Sequence, residues 1–364
     1  MLAASKGRVT TRKSGRVTFK LAAERGFCYG VERALRTALE TIAAYPYRRI
    51  FITSEILHNP QVNDELRKRG VLFLSESPNL WSELSPQDVV LLPAFGVAPD
   101  VRARIEKAGA LVVDTTCGSV VFVWKNVDRF ARDGLTVVYH GRRGHEEARA
   151  TLSRLEREGG CNPYFVVEDL SEAWALIDFL ESRISSRELL QSLPDSGSPA
   201  FEPDKDLARI GFASQTTMLA HETLAIGEAL KRAQALRFGE PLLLEHFRMQ
   251  DTICAATQDR QDALEELLDQ DLDLVLVVGG YTSSNSAHLA ELASGALSVY
   301  HVEGPGDILS SSEIRHKVPT LPRLSVTANW LPAGPVILGI TSGASTPEQS
   351  LEDVIERVSS VAGG

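Results

Sequence analysis

Short apolar runs alternate with amphipathic segments along most of this chain. DVVLLPAFGV, TVVYHG and LDLVLVVGG are each followed by a polar turn and then by a segment with helical periodicity. RIFITSEI, ALVVDTTC, ARIGFAS and PVILGITSG are followed in the same way. Repeated strand–loop–helix units predict parallel α/β layers. Binding sites in such layers form beyond the carboxyl ends of the strands.

Three segments depart from this alternation. The first 20 residues carry six basic residues and no acid, which favours a mobile basic arm, with an organellar targeting segment as the alternative. Residues 182–205 are rich in Ser, Pro and charge and predict an insertion or long loop. Residues 314–335 are predicted to be irregular. At 364 residues the chain exceeds one ordinary core, so two or three domains are expected.

Composition narrows the class of protein. Hydrophobic content of 43% and charged content of 24% are typical of a globular protein, and a net charge of −10 argues against a general nucleic-acid binder. No apolar run approaches the roughly 18 residues of a membrane span. With only four cysteines in so long a chain, a disulfide framework is not expected, which indicates a reducing cytosol.

Three of the cysteines precede helical segments. Cys28 lies between glycines in GFCYGVER, Cys117 ends a strand-like run in VVDTTC, and Cys254 opens DTICAATQDRQDA. A helix N-terminus favours thiolate over thiol. Three thiolates on one centre would form a soft-metal or iron–sulfur site with one open coordination position. Buried, inert thiols are the alternative, and Cys161, in a Gly/Asn/Pro turn, is expected to be a bystander.

Hydroxyl-rich loops follow two of the apolar runs. GGYTSSNSAHL contains Ser283, Ser284 and Asn285, and ITSGASTPEQS contains Ser345. Backbone N–H groups, hydroxyls and a positive helix end together can hold a phosphate, whereas simple helix capping is the common alternative.

Acid–base candidates follow other strand-like runs. His58 lies in EILHNPQVN, His145 and Glu147 lie in HGRRGHEEARAT, and Thr216 lies in ASQTTM. A histidine can contact phosphate and a nearby glutamate can deliver a proton. The alternative is that these residues form the solvated, charged start of a helix and have no catalytic role.

Taken together, these motifs resemble the hydroxymethylbutenyl diphosphate reductase family, the IspH/LytB type. The strings that carry the resemblance are RGFCYGVERA, EILHNPQVN, VDTTC, GHEEARAT, SQTTM, TICAATQDRQDA, VVGGYTSSNSAHL and ITSGASTPE. PAFGV, ATQDRQDA and NWLPAGP are similar to the plant and cyanobacterial branch. Phe95 stands where the common bacterial branch has a histidine, and Gly118-Ser119 replaces the usual proline and bulky residue.

The resemblance implies an α/β fold of three domains in a trefoil-like arrangement around a central cavity that holds an iron–sulfur cluster. The domains would be 21–117, 118–250 (with the insertion at 182–205) and 251–364, after the arm at 1–20. It also implies a [4Fe–4S] cluster held by Cys28, Cys117 and Cys254, whose open iron binds the substrate hydroxyl.

The implied reaction converts (E)-4-hydroxy-3-methylbut-2-enyl diphosphate to isopentenyl and dimethylallyl diphosphate, the last step of the methylerythritol phosphate route to isoprenoids. Glu147 would supply a proton, Thr216 would orient the alcohol, and His145 would complete the catalytic set. The residues implied to bind the diphosphate are His58, His145, Ser283, Ser284, Asn285 and Ser345. A ferredoxin- or flavodoxin-like protein would supply electrons, in the cytoplasm or, in a photosynthetic eukaryote, in the plastid.

Two rival interpretations remain open. Phe95 and Gly118-Ser119 fit a paralogue that reduces a different hydroxylated substrate. A non-catalytic iron–sulfur redox protein would need a fourth protein ligand such as Cys161, and a zinc site is a weaker third possibility.

Overall fold

The structure is a computed structural model that describes residues 8–157, 160–295, 297–318 and 323–363. Its strands are β1 Thr10–Ser14, β2 Val17–Leu21, β3 Ile50–Ile52, β4 Leu72–Phe73, β5 Val89–Leu92, β6 Leu111–Asp114, β7 Thr136–His140, β8 Glu156–Arg157, β9 Gly160–Cys161, β10 Tyr164–Val167, β11 Ile210–Ser214, β12 Phe247–Met249, β13 Leu274–Val278, β14 Ser298–Val302, β15 Glu313–Lys317, β16 Leu324–Ala328 and β17 Val336–Ser342.

The α-helices are α1 Tyr29–Ala44, α2 Pro60–Lys68, α3 Pro99–Lys107, α4 Gly118–Arg132, α5 Glu146–Leu152, α6 Leu170–Leu180, α7 Ser186–Ser192, α8 Pro203–Asp206, α9 Ala220–Phe238, α10 Leu243–His246, α11 Ala255–Leu268, α12 Ser284–Ser294 and α13 Glu348–Ala362. Short 3₁₀ turns lie at Pro78–Trp81, Ser153–Leu155, Glu240–Leu242 and Pro305–Asp307. Within the described ranges, no helix is long and apolar enough to cross a bilayer.

The chain divides into two compact units. Unit 1 comprises Met1–Arg36, Glu55–Val71 and Ala255–Gly364, and unit 2 comprises Thr37–Ser54 and Leu72–Cys254. The predicted boundaries at 20/21, 117/118 and 250/251 do not coincide with this division and stay predictions.

Unit 1 is built on a seven-stranded sheet in the order β1-β2-β17-β13-β14-β15-β16. Its central pairs, β2–β17, β17–β13 and β13–β14, are parallel, as the strand–helix alternation predicts. Alternate residues of β13 point to opposite faces. Leu274, Leu276 and Val278 pack with α13, whereas Val275 and Val277 pack with α11 and α12. Helices therefore cover both faces, which is why the strand reads as a continuous apolar run.

Unit 2 contains two further four-stranded sheets, β10-β7-β11-β12 and β4-β3-β5-β6, and a small hairpin of β8 and β9. The pairs of both four-stranded sheets are parallel. On one face of the first sheet, α4 and α5 pack against Val137 and Tyr139. On the other face, α6 and α9 pack against Val138 and Phe212. The α/β class predicted from the sequence is confirmed.

The basic segment at the N-terminus is a hairpin rather than a mobile arm from Thr10 onward. β1 and β2 pair antiparallel, and β2 extends the central sheet beside β17. Val17 and Phe19 are fully buried, so their alternation with polar residues is that of a strand with one apolar face. The described basic residues of the segment are exposed (Arg8, Arg12 and Lys13) or half-buried (Arg16 and Lys20).

Two segments predicted as irregular or loop contain regular structure. Residues 314–335 include most of an antiparallel hairpin of β15 and β16, although 319–322 lie outside the described residues. Residues 182–205 include α7, which begins with a capping box between Ser185 and Glu188, and the start of α8. Local capping chemistry of this kind forms a helix within a polar stretch that lacks apolar periodicity.

Candidate functional site

The register of the unit 1 sheet brings two polar loops together. Val278, the last residue of β13, pairs with Ser342, the last residue of β17. The loops that follow, GGYTS and GASTP, therefore leave the same edge of the sheet side by side. Four of the predicted anion-binding residues lie on these loops and on the first turn of α12: Ser283, Ser284, Asn285 and Ser345.

Hydrogen bonds join the two loops. Ser283 caps α12 by accepting from Ser286 N–H. Asn285 Oδ1 accepts from Ala344 N–H at 2.9 Å, and its Nδ2 donates to Thr257 Oγ1 at 3.4 Å. Ser283, Ser284 and Asn285 are all at most 4% exposed. Buried hydroxyl and amide groups at a helix N-terminus suit an anion, because the helix end is positive and its first N–H groups lack helical partners.

His58 belongs to the same cluster. Its backbone oxygen lies so close to Gly280 that a Cβ on residue 280 would approach it to 2.3 Å, which explains the glycine. Ser345 Oγ lies 3.5 Å from the same oxygen. Asn59 Nδ2 donates to Ser345 O at 2.8 Å and so ties the His58 loop to the Ser345 loop. The structure thus places His58, Ser283, Ser284, Asn285 and Ser345 around the ends of β13 and β17.

Cys28 also lies beside this cluster in unit 1. Its N–H donates to Ala344 O at 3.1 Å, next to Ser345. The preceding turn is held by the buried Arg260, which donates to Gly26 O at 2.7 Å. Sequence reasoning missed Arg260 and Asn59, although both lie in motifs quoted for other residues, because their roles are contacts between segments far apart in the chain.

Two acidic side chains hold the GGYTS loop in place by accepting hydrogen bonds from Tyr281. Tyr281 N–H donates to Glu303 Oε1 at 3.0 Å, and Tyr281 Oη donates to Asp307 Oδ2 at 2.7 Å. Burial and the Asp307 carboxylate raise the pKa of Tyr281 above its ordinary range, so the phenol stays protonated and remains a donor.

The buried His301 lies behind the same loop, and it makes unit 1 sensitive to acid. Its Nε2 contacts Gly279 O at 3.0 Å, and burial lowers its pKa from 6.5 to about 4. The unfolded chain binds this proton more tightly than the folded chain. The contribution of neutral His301 to the free energy of unfolding is therefore fully present above pH 6.5, the pKa in the unfolded chain, and is lost as the pH falls from 6.5 toward 4. The shift corresponds to about 3 kcal/mol at the acid end.

We therefore expect His301→Gln to flatten the dependence of Tm on pH between pH 6.5 and pH 4.5. The exposed His221 provides the control, and His221→Gln should leave that slope unchanged. Thermal unfolding followed by circular dichroism at several pH values measures it. Equal slopes for His301→Gln and the parent protein would show that His301 is not the titrating group.

Unit 2 holds a buried carboxyl group. The last residues of β7 and β11, His140 and Ser214, are in register, so the loops after them run side by side. Across these loops Glu147 accepts twice from Thr216, from N–H at Oε1 and from the hydroxyl at Oε2, both at 2.8 Å. Glu147 is 2% exposed and Thr216 is 4% exposed. Glu147 and Thr216, which were predicted separately as acid and as alcohol-orienting residue, are therefore in direct contact.

His145 caps the helix that carries this acid. Its Nδ1 accepts from Glu147 N–H at 3.1 Å, so the proton of the neutral ring is assigned to Nε2. Arg143 holds the loop before it, because its N–H donates to Glu168 Oε1 at 2.6 Å and its guanidinium pairs with Glu172. His145 can thus present an N–H donor.

Unit 2 also holds two of the predicted thiols, and the backbone of Cys254 is hydrogen-bonded to Thr216. Cys254 N–H donates to Thr216 O at 3.1 Å. Cys117 is the N-cap residue of α4 and donates its N–H to Ala94 O at 2.8 Å, beside Phe95. A Cβ on Gly118 would have no neighbour within 4 Å, so space is open beside Cys117.

The fourth thiol differs from the other three. Cys161 lies on β9 of the small hairpin and donates to Asn162 O at 3.3 Å. Burial, with the Glu156 carboxylate, raises its pKa. A thiol held in its neutral form is a poor metal ligand, so the structure offers no support for Cys161 as a fourth ligand.

The donor set of Cys28, Cys117 and Cys254 fits an iron–sulfur cluster in its chemistry. All are free thiols, all are partly buried, and each directly precedes the first residue of a helix. The structure does not group them as ligands: among the described residues, no set of three or more His, Cys, Asp or Glu side chains is placed to hold a metal ion. Their joint role as cluster ligands therefore stays a prediction.

The fold and the strand ends define an α/β protein with two paired polar loops in unit 1 and a buried carboxyl group in unit 2. A family model described as "LytB protein" matches residues 19–359, and the chain belongs to that family. The family resemblance predicted from the sequence is confirmed.

Curated relatives agree with this assignment, and solved structures share the fold. A protein of Gloeobacter violaceus named 4-hydroxy-3-methylbut-2-enyl diphosphate reductase is 41% identical, over 97% of this chain and 85% of the relative. A protein of the same name from a Synechococcus species is 43% identical, over 94% of this chain and 85% of the relative. The E-1-hydroxy-2-methyl-but-2-enyl-4-diphosphate reductase of Plasmodium falciparum has a similar fold, with a TM-score of 0.68, 23% identity and coverage of 93% of this chain and 86% of that one. A second reductase structure, described as the terminal enzyme of the non-mevalonate pathway, has a TM-score of 0.54, 24% identity and coverage of 94% and 98%.

Proposed function

We propose that this protein is an oxidoreductase that reductively dehydroxylates (E)-4-hydroxy-3-methylbut-2-enyl diphosphate to isopentenyl and dimethylallyl diphosphate. The observation that carries the proposal is the 41–43% identity to named reductases over at least 94% of the chain. The segments that carry the family motifs also form the buried Glu147–Thr216 pair and the paired loops of unit 1.

The unit 1 loop pair binds the diphosphate in this proposal. Neutral donors from Ser283, Ser284, Asn285 and Ser345, together with the α12 N-terminus, replace water around the phosphate oxygens. His58 adds a ring donor. His145, in unit 2, carries an N–H at Nε2, and its role as a diphosphate ligand stays a prediction. The amide of Asn285 supports this role, because Oδ1 accepts from Ala344 N–H and Nδ2 carries a second N–H besides the one that contacts Thr257.

Glu147 supplies the proton to the departing hydroxyl in this proposal. Hydroxide is a poor leaving group at neutral pH, and a positioned carboxylic acid converts it to water. The Thr216 hydroxyl donates to Glu147 and keeps lone pairs with which to accept from the substrate alcohol. Thr216 therefore orients acid and alcohol toward each other.

The residues proposed to hold a [4Fe–4S] cluster are Cys28, Cys117 and Cys254. When bound, the cluster supplies an open Lewis-acidic iron and single electrons. We propose a ferredoxin- or flavodoxin-like electron donor. The proposed compartment is a reducing cytoplasm or, in a photosynthetic eukaryote, the plastid.

Anaerobic turnover tests the proposed function. Protein purified under nitrogen and reduced by a viologen dye should convert the hydroxylated diphosphate to a mixture of the two isomeric products, measured by chromatography. Protein with a full iron content and no turnover would rule the function out. A competition assay with other allylic alcohol diphosphates separates it from a paralogue with another substrate.

Asn285→Asp is expected to raise KM for the diphosphate substrate by about 100-fold, because a donor becomes an acceptor and a negative charge enters the anion site. The new carboxylate still accepts from Ala344 N–H, so the loops stay joined. Asn329→Asp, at an exposed turn of unit 1, adds the same charge as a control. An unchanged KM for Asn285→Asp would remove Asn285 from the diphosphate site.

A further inference from the structure

One face of α4 carries an exposed stripe that the proposed reaction does not use. Phe122, Lys125, Arg129 and Arg132 recur at spacings of three, four and three residues and therefore lie along one side of the helix. All four are exposed, and the Phe122 side chain is 45% exposed. The opposite side of the helix, which includes Val123 and Val127, is buried against the sheet. These four residues are called the α4 stripe.

The α4 stripe lines a basic groove of about 730 Å³. Asp128 is the one carboxylate among the described lining residues, and it accepts from Arg154 at 2.8 Å. Within the described part of the chain, Lys125, Arg129 and Arg132 form no ion pair. The chain has a net charge of −10, so a local excess of positive charge distinguishes this groove from the rest of the protein. Such a groove is electrostatically complementary to an acidic partner.

The groove begins near a proposed cluster ligand. Cys117 is the N-cap of the same helix. At 1.5 Å per residue, Phe122 lies about 7.5 Å and Lys125 about 12 Å further along the helix axis. Electron tunnelling slows steeply with distance, so a protein that passes electrons to a centre bound by Cys117 must dock close to it.

We propose that the α4 stripe docks an acidic one-electron carrier protein. The inference rests on the proposed function, because it needs a redox centre held in part by Cys117. Each docking would oxidise the carrier by one electron. Two dockings and two protons then convert the substrate C–O bond to C–H and release water. Electron-transfer encounters have small interfaces and depend on complementary charge, which the three cations and one exposed aromatic ring provide.

Affinity for a carrier tests the docking site without relying on turnover. Lys125→Glu/Arg129→Glu in the iron-loaded protein should weaken binding of an oxidised, acidic plant-type [2Fe–2S] ferredoxin at least about tenfold by titration calorimetry at low salt. It should also reduce the salt dependence of binding. The control Arg187→Glu/Lys205→Glu makes the same change in net charge at exposed positions of α7 and α8. It should change the affinity less than about twofold.

Turnover then separates failure of the docking site from failure of the proposed function. Ferredoxin-driven kcat/KM should fall with Lys125→Glu/Arg129→Glu, whereas turnover driven by a viologen dye should stay at the parent value. Equal losses in both double variants, or unchanged ferredoxin affinity, would overturn the docking site. Absence of dye-driven turnover in the iron-loaded parent protein would instead overturn the proposed function. Heparin serves as a probe for a general polyanion. If Lys125→Glu/Arg129→Glu weakens binding to heparin but not to ferredoxin, the groove is a polyanion site and the proposal is wrong.

Discussion

Glu147→Gln is expected to lower the turnover number by about 10²- to 10⁴-fold, the usual contribution of a positioned general acid. Glutamine keeps an oxygen that can accept from Thr216 N–H, and its size is nearly the same, so the buried pair should be retained. It has no acidic proton to give. Iron content, the visible spectrum and KM for the diphosphate should therefore stay near the parent values.

The adjacent Glu146 provides a matched control on the same helix. It is half-buried and lies outside the Thr216 contact, so Glu146→Gln should keep most of the turnover. Single-turnover rates measured anaerobically with a pre-reduced protein isolate the protonation step from electron delivery. Full activity of Glu147→Gln would show that the proton comes from another group, and equal losses in both variants would point to a general charge effect.

Cys254→Ser is expected to lose most of the iron and the brown colour, and with them the turnover. A serine hydroxyl is a far weaker ligand than a thiolate, because it stays protonated at neutral pH. Cys28→Ser and Cys117→Ser should behave in the same way, since each of these thiols also precedes a helix. Iron assay and electron paramagnetic resonance of anaerobically prepared protein measure the loss.

Cys161→Ser is the control for these three variants. Its thiol contacts Asn162 O within a hairpin and has a raised pKa, so its loss should leave the iron content unchanged. An iron loss in Cys161→Ser as large as that in Cys254→Ser would favour the rival four-cysteine redox protein. Full iron content in Cys254→Ser would remove Cys254 from the ligand set.

Much of the fold was predictable from the sequence because its parallel strands are buried on both faces. Continuous apolar runs such as LDLVLVV, followed by helical periodicity, indicate such strands and the crossovers between them. The basic hairpin was not predicted, because the six basic residues of the first 20 favour a mobile arm, and the pairing of β2 with β17 joins segments far apart in the chain. The hairpin of β15 and β16 was also missed, because β16 is an edge strand with no fully buried residue and so has no apolar run.

The chemistry of the candidate site was also predictable, but its geometry was not. The residue types at the strand ends indicated an anion site, an acid and a thiol set. The contact of Glu147 with Thr216 joins residues that are 69 positions apart, and that of Asn285 with Ala344 joins residues 59 apart. No local pattern specifies such pairs, because they depend on which strands are neighbours and in what register.

The chain's sequence by itself determined the α/β class, the positions of the helix starts and the kinds of group that each loop offers. These follow from local periodicity and from side-chain chemistry. Only the tertiary structure decided which loops meet, that Glu147 is buried against Thr216, and that the cations of α4 share one exposed face beside Cys117. The reason is that sheet register and burial result from the packing of segments far apart in the chain.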